Sequence, residues 1–117
     1  MYKVFHVAFG DAGKEVAVVD ADNLDKVYEV TNSITGPWIE NKEIIAYVLP
    51  PGREGIRSTS VDDVIYEVGT GKFFIVSDFG FTEIDENTEG KVAIIIEGEW
   101  APMPYSLLVK ALKAQIN

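Results

Sequence analysis

The sequence predicts a single α+β domain in which two helices pack on a strongly curved antiparallel sheet. Its 117 residues are enough for one domain with a hydrophobic core of its own and leave no room for a second domain. Apolar residues make up 47% of the chain and charged residues 25%, a balance typical of folded globular proteins. Most segments are short and strand-like, and only two show helical spacing. The predicted domain therefore spans residues 1–117, with closure of its second half into a barrel left open.

The chain is predicted to open with a β-hairpin. Residues 2–9 alternate in the manner of a strand that is partly buried on both faces. Gly10-Asp11-Ala12-Gly13 supplies the turn, and residues 14–19 return as the second strand.

The first helix is predicted to start at Asp22. This residue is the expected cap, and Asp25 adds a second carboxylate at the positive end of the helix dipole. The stripe that faces the sheet consists of Leu24, Val27, Tyr28 and Ile34. Gly36-Pro37 is expected to end the helix, because proline restricts the residue before it and lacks an amide hydrogen.

The next strands are predicted to form an antiparallel meander. An extended segment starts at Trp38 and stops at Pro50-Pro51-Gly52. Four strands follow at residues 64–68, 73–77, 81–84 and 92–97, the last two joined by an acidic turn. Residues 92–96 are apolar without alternation, which favours a central strand covered on both faces.

A closing helix is predicted from Pro104 onward, since proline suits a first helical turn. Its apolar stripe consists of Leu108, Val109, Leu112 and Ile116. Lys110 and Lys113 are expected to point outward near the negative end of the helix. This helix is expected to cover the sheet.

Composition excludes several chemistries. The chain has no cysteine, so disulfides, thiolate metal sites and cysteine nucleophiles are excluded. Its single histidine, His6, lies in an alternating strand and is expected to be a packed residue rather than a general base. No apolar run exceeds six residues, far short of the roughly 20 of a membrane helix, and the N-terminus does not resemble a signal peptide. We therefore expect a cytoplasmic protein with no membrane partner, no cofactor and no bound metal.

The formal charge of −9 is unevenly distributed. Residues 62–99 contain ten acidic side chains against two lysines and so carry −8 of it. Direct nucleic-acid binding is not expected, because phosphates are bound by basic surfaces. The acidity is explained either by solvation or by an acidic face that docks on a basic protein. The candidate partner-binding residues are Asp85, Glu86, Glu89 and the two tryptophans Trp38 and Trp100, for which core packing is the alternative.

The segment from Arg53 to Ser60 is the candidate ligand site. Arginine forks and hydroxyls suit a phosphorylated small molecule, and the residues involved are Arg53, Arg57, Ser58 and Thr59. A structural alternative is a capping box, in which Ser60 and Asp63 satisfy each other's backbone amides within one tight turn. Both interpretations remain open at the level of sequence.

One set of residues resembles a family of small uncharacterised proteins of tailed bacteriophages and related mobile elements. It comprises Thr31-Asn32-Ser33-Ile34, Trp38, Asn41, Arg57-Ser58-Thr59-Ser60-Val61-Asp62-Asp63-Val64-Ile65 and Gly80-Phe81. The family pattern has glycine where this chain has Asp62. The resemblance implies an accessory phage gene acting on a host process, and it brings no catalytic residues with it.

These observations favour a non-enzymatic function. No pair of nucleophile and base can be nominated, so no catalytic residue is predicted. The expected partner is a host protein, basic or itself nucleic-acid-binding, met in the host cytoplasm through the acidic face. The alternative is a protein that binds a phosphorylated molecule through the segment from Arg53 to Ser60. Oligomeric state and strand order do not follow from the sequence.

Overall fold

The computed structural model describes residues 1–10, 13–33 and 36–116. Six strands form one open sheet in the order β3-β2-β1-β4-β5-β6, and every pair is antiparallel. The strands are β1 (Tyr2–His6), β2 (Lys14–Val19), β3 (Ile44–Tyr47), β4 (Val64–Glu67), β5 (Lys72–Ser77) and β6 (Gly80–Ile84). The predicted α+β class is confirmed, and the sheet is not closed into a barrel.

The C-terminal part of the chain forms a separate layer. Strands β7 (Lys91–Ile96) and β8 (Glu99–Pro104) pair with each other as a two-stranded sheet, and helix α2 (Tyr105–Ile116) follows directly. The prediction that residues 92–97 form a central strand was wrong, because β7 is half-exposed and does not pair with β6. Strand β8 was not predicted at all.

One face of the large sheet is covered by this layer. Helix α2 buries Leu108, Val109 and Leu112, as its predicted stripe requires, and β7 adds Val92 and Ile94. From the sheet they meet a cluster of buried side chains: Phe5, Val7, Val64, Phe73, Ile75 and Ile84. The prediction that the closing helix covers the sheet is confirmed.

The opposite face is covered by helix α1 (Leu24–Thr31) and the chain that follows it. Val27, Val30 and the indole of Trp38 pack there against buried residues of the sheet: Tyr2, Val4, Val16, Ala17, Val19, Ile65 and Val76. Alternate residues of β1 therefore serve two separate cores, which explains its two-sided apolar pattern.

Three local predictions about the first half differ from the structure. The first strand ends at His6, and a 3₁₀ turn occupies Ala8–Gly10. Asn23 rather than Asp22 caps α1, because its Oδ1 accepts a hydrogen bond from Lys26 N at 2.8 Å. Trp38 opens a 3₁₀ turn, Trp38–Glu40, instead of an extended segment.

Two parts of these predictions lie outside the described residues: Asp11-Ala12 of the first turn, and Ile34 of the first helical stripe. Within the described ranges α1 ends at Thr31, short of Gly36-Pro37. Neither α1 nor α2 is long and apolar enough to cross a membrane, and the same holds for every helix in those ranges.

Candidate functional site

The most connected polar group of the molecule is the carboxylate of Asp63, which is completely buried. Its Oδ1 accepts hydrogen bonds from Val7 N at 2.8 Å and Ala8 N at 3.0 Å, just past the end of β1. Its Oδ2 accepts one from Ser60 N at 2.8 Å. Asp63 N also donates to Ser60 O, so the carboxylate half of the predicted capping box is present.

The turn that carries Asp63 contains a left-handed residue. Asp62 has φ of 76°, a conformation that favours glycine. The side chain of Asp63, which follows this left-handed residue, is buried, and β4 begins at the next residue, Val64.

The guanidinium of Arg57 is the counter-ion of this carboxylate. Its Nη1 donates to Asp63 Oδ2 at 2.7 Å and its Nη2 to Asp63 Oδ1 at 2.8 Å, a bidentate pair. The same nitrogens donate to Ser58 O and Ala8 O, and the guanidinium lies 5.1 Å from the ring centre of Phe9. Each terminal nitrogen thus makes two bonds within the chain, which leaves no terminal N–H of Arg57 for a bound anion.

His6 and Thr59 extend the buried cluster. His6 Nε2 lies 3.1 Å from Thr59 Oγ1 and 3.9 Å from Asp63 Oδ2, and both residues are buried. His6 is therefore packed in the interior, as the sequence predicted.

The network also ties the long connection before β4 to helix α1. Thr59 N donates to Thr31 O at 2.9 Å, and Asn32 Nδ2 donates to Thr59 O at 2.7 Å. Trp38 Nε1 donates to Arg57 O at 2.9 Å. One hydrogen-bonded network thus includes Thr31, Asn32, Trp38, Arg57 and Thr59.

The four candidate ligand residues are separated by this arrangement. Arg53 and Arg57 both line a cleft of about 300 Å³, together with His6, Phe9, Val16, Pro50, Gly55 and Ile56. Ser58 Oγ donates to Ser33 O at 3.3 Å, and Thr59 is buried. In the described part of the chain the Arg53 guanidinium has no acidic partner, so it is the cation best placed to meet a ligand.

The candidate partner-binding acids lie in the turn between β6 and β7. Asp85 Oδ1 accepts from Asn87 N at 2.8 Å, which orders the turn. Glu86 Oε1 pairs with Lys113 Nζ of α2 at 2.9 Å. Asp85, Glu86 and Glu89 are all exposed.

The two tryptophans have opposite environments. Trp38 is 2% exposed and belongs to the core, whereas Trp100 is 65% exposed. Trp100 stands on the outer face of the β7–β8 hairpin opposite Ile95, and with Lys91, Ala93, Ala101 and Pro102 it lines a shallow recess. Only Trp100 can contact a partner without opening the core.

The sequence indicated Trp100 as a candidate contact residue but did not predict the strand that carries it, β8. The available signal was Glu97-Gly98, a two-residue turn in which both φ angles are positive, 52° and 83°. On its inner side the hairpin forms, with α2, an apolar cleft of about 380 Å³ whose lining includes Ile94, Met103 and Leu108.

Comparisons with protein-family models, curated proteins and solved structures found no match to this chain.

We expect Asp63→Asn to lower the free energy of unfolding by about 3 to 5 kcal/mol, since it leaves the Arg57 charge without its carboxylate. The measurement is urea denaturation followed by circular dichroism. Ser60→Ala is the matched control, because the Ser60 amide that binds Asp63 remains, and its effect should stay within about 0.5 kcal/mol. Equal losses in both variants would contradict the assigned role of the carboxylate.

A second prediction concerns pH. Burial, and then the nearby Asp63 and Asp78 carboxylates, raise the pKa of Asp62 above its ordinary 3.8. The folded state thus favours protonated Asp62, whose stabilising contribution is present at acid pH and is lost as pH rises through that pKa. Asp62→Asn should therefore stabilise the protein more at pH of about 7 than at about 3. Denaturant titrations of the native chain and of Asp62→Asn at both pH values test this prediction. If the difference in free energy of unfolding between the two chains were the same at both pH values, the prediction would be refuted.

Proposed function

We propose that this protein is a non-enzymatic binding protein that docks on a host protein through the outer face of its β7–β8 hairpin. We call this surface the hairpin face and define it by Ala93, Ile95, Trp100 and Pro102. The observation that supports the proposal best is Trp100, a large aromatic side chain that is 65% exposed on an ordered strand. Tryptophan is among the residues most enriched at the energetic centres of protein interfaces.

The hairpin face is rigid and apolar. Six consecutive residue pairs hold β7 against β8, including Ala93 with Pro102 and Ile95 with Trp100. The inner side of the same hairpin is fixed by Val92 and Ile94 in the core. A partner would therefore meet a preformed surface and lose little of its binding energy to ordering the hairpin.

Acidic groups flank the hairpin face at both ends. Glu97 and Glu99 lie at the turn beside Trp100, and Asp85, Glu86 and Glu89 precede the start of β7. The strand rises about 3.4 Å per residue, so Ile95 and Lys91 are roughly 14 Å apart. This span fits within one ordinary protein interface. The complementary partner has an apolar centre and a basic rim, as many nucleic-acid-binding proteins do, whereas nucleic acid itself would be repelled.

The resemblance to phage proteins supports a host protein as the partner. An accessory protein of a phage would meet basic host proteins in the cytoplasm of the infected cell. The buried network around Asp63 gives Arg57, Thr59 and Asp63 a structural role, so these residues of the resemblance need not belong to the binding surface.

Capture of host proteins on the immobilised chain, followed by binding kinetics, tests this proposal. Trp100→Ala should weaken binding by about 30-fold, mainly through faster dissociation, as expected of a central aromatic. The matched control is Phe79→Ala, which removes an exposed aromatic from the β5–β6 turn and should leave affinity unchanged.

The acidic rim is tested separately. Replacing Asp85, Glu86 and Glu89 by asparagine and glutamine should slow association and reduce its dependence on salt. If a partner bound equally well to the Trp100→Ala chain, the hairpin face would not be its site. If neither salt nor the rim substitutions changed the binding kinetics, the acidic side chains would make no contribution to binding.

A second candidate function is anion binding by Arg53 in the cleft that it lines together with Arg57. It is favoured by Arg53, which lines the cleft and has no acidic partner in the described residues. Inorganic phosphate or a nucleotide should then raise the melting temperature, and Arg53→Ala should abolish that rise. Arg53→Lys, which keeps the charge, is the control and should retain part of it. An unchanged melting temperature of the native chain at high phosphate would exclude this candidate.

A further inference from the structure

Strand β3 ends the six-stranded sheet with one edge unpaired. It pairs with β2 on one side, and within residues 1–10, 13–33 and 36–116 no strand covers the other. Pairing with β2 continues beyond the strand, because Val48 N donates to Val16 O at 3.0 Å. Since amides alternate in direction along a strand, the N–H and C=O groups of Tyr47 and Leu49 point away from β2. They form a short row of hydrogen-bonding groups open to another strand.

The side chains along this edge are apolar and exposed. Val48 is 62% exposed, and the same holds to a lesser degree for Ile45, Tyr47 and Leu49. Proline and charged side chains commonly protect an edge strand from pairing with another chain. Residues 44–49 contain neither, and the first proline is Pro50. Strand β8 of the small sheet is protected in this way, because Pro102 and Pro104 leave it without two backbone amide hydrogens.

The distribution of charge around β3 indicates which molecule can pair with its open edge. Residues 40–54 carry three acidic side chains, Glu40, Glu43 and Glu54, and two basic ones, Lys42 and Arg53. This region therefore carries a net charge of only −1, whereas residues 62–99 carry −8. A second copy of the chain would meet strong like-charge repulsion at the acidic part and much weaker repulsion at β3. The β3 edge is the exposed apolar surface where two such acidic molecules can approach each other.

We propose that this protein forms a homodimer in which β3 pairs with β3 of a second copy. A two-fold axis makes the two strands antiparallel, so the two open sheets join into one continuous sheet. With the amides of Tyr47 and Leu49 on either side, Val48 lies opposite its own copy as a non-hydrogen-bonded pair. This inference does not depend on the hairpin face, which belongs to the other sheet.

The first test is the oligomeric state in sedimentation velocity over a range of protein concentrations. The native chain should change reversibly from monomer to dimer, and Val48→Lys should raise the dimer dissociation constant at least about tenfold by placing two like charges opposite each other. Val68→Lys is the control, since Val68 is exposed to 42% at the end of β4 and should leave the dimer intact. A native chain that stays monomeric up to about 1 mM would overturn the proposal.

Disulfide cross-linking tests the same interface without a substitution that weakens the dimer. The chain has no cysteine, so Val48→Cys introduces a single thiol. Directly opposed Cα atoms in a non-hydrogen-bonded pair lie about 4.5 Å apart, within the range a disulfide spans. Mild oxidation should link Val48→Cys into a covalent dimer and leave Val68→Cys largely unlinked. A native dimer whose Val48→Cys variant fails to cross-link would place the interface elsewhere.

Discussion

The burial of the Asp63 carboxylate is the constraint on which the arrangement of the chain depends. An unpaired carboxylate in the core would cost several kcal/mol, and five N–H groups compensate that cost here. These donors come from the end of β1, from Arg57 and from the turn before β4. One side chain therefore fixes both the exit of the first strand and the entry of the strand that pairs with it. The long connection from α1 to β4 is held by the same contacts.

Arg57 shows why the site was only partly predictable. The sequence indicated a candidate anion site at this arginine, beside hydroxyls and backbone amides, and a tight turn that includes Asp63. It did not show that the two features are one contact, with Asp63 as the anion. That outcome depends on Val7 and Ala8, more than 50 residues away along the chain, whose amides complete the carboxylate shell. No local pattern reports such a contact.

The same distinction applies to the fold. The first hairpin, the β4–β5–β6 meander and the stripe of α2 follow from local periodicity and were predicted. The pairing of β1 with β4 and the detachment of β7 from the large sheet are long-range outcomes. Strand β8 was missed because Pro102 and Pro104 argue against a strand, although an edge strand tolerates them. Trp38 and Trp100 likewise differ in burial only through the elements that surround them.

The folded structure shows which of the acidic side chains are neutralised by ion pairs. Asp63 contributes to the −8 of residues 62–99, yet Arg57 neutralises it from outside that range. Glu83 pairs with Lys72 and Glu86 with Lys113. Exposed acids without a basic partner in the described residues include Asp85, Glu89, Glu97 and Glu99. These four flank β7 and its turn to β8, so part of the unpaired acidic charge lies beside the exposed tryptophan. Asp78 in the β5–β6 turn is also exposed and has no ion pair in the described residues, so the ion pairs reduce the acidity of residues 62–99 without confining it to one surface.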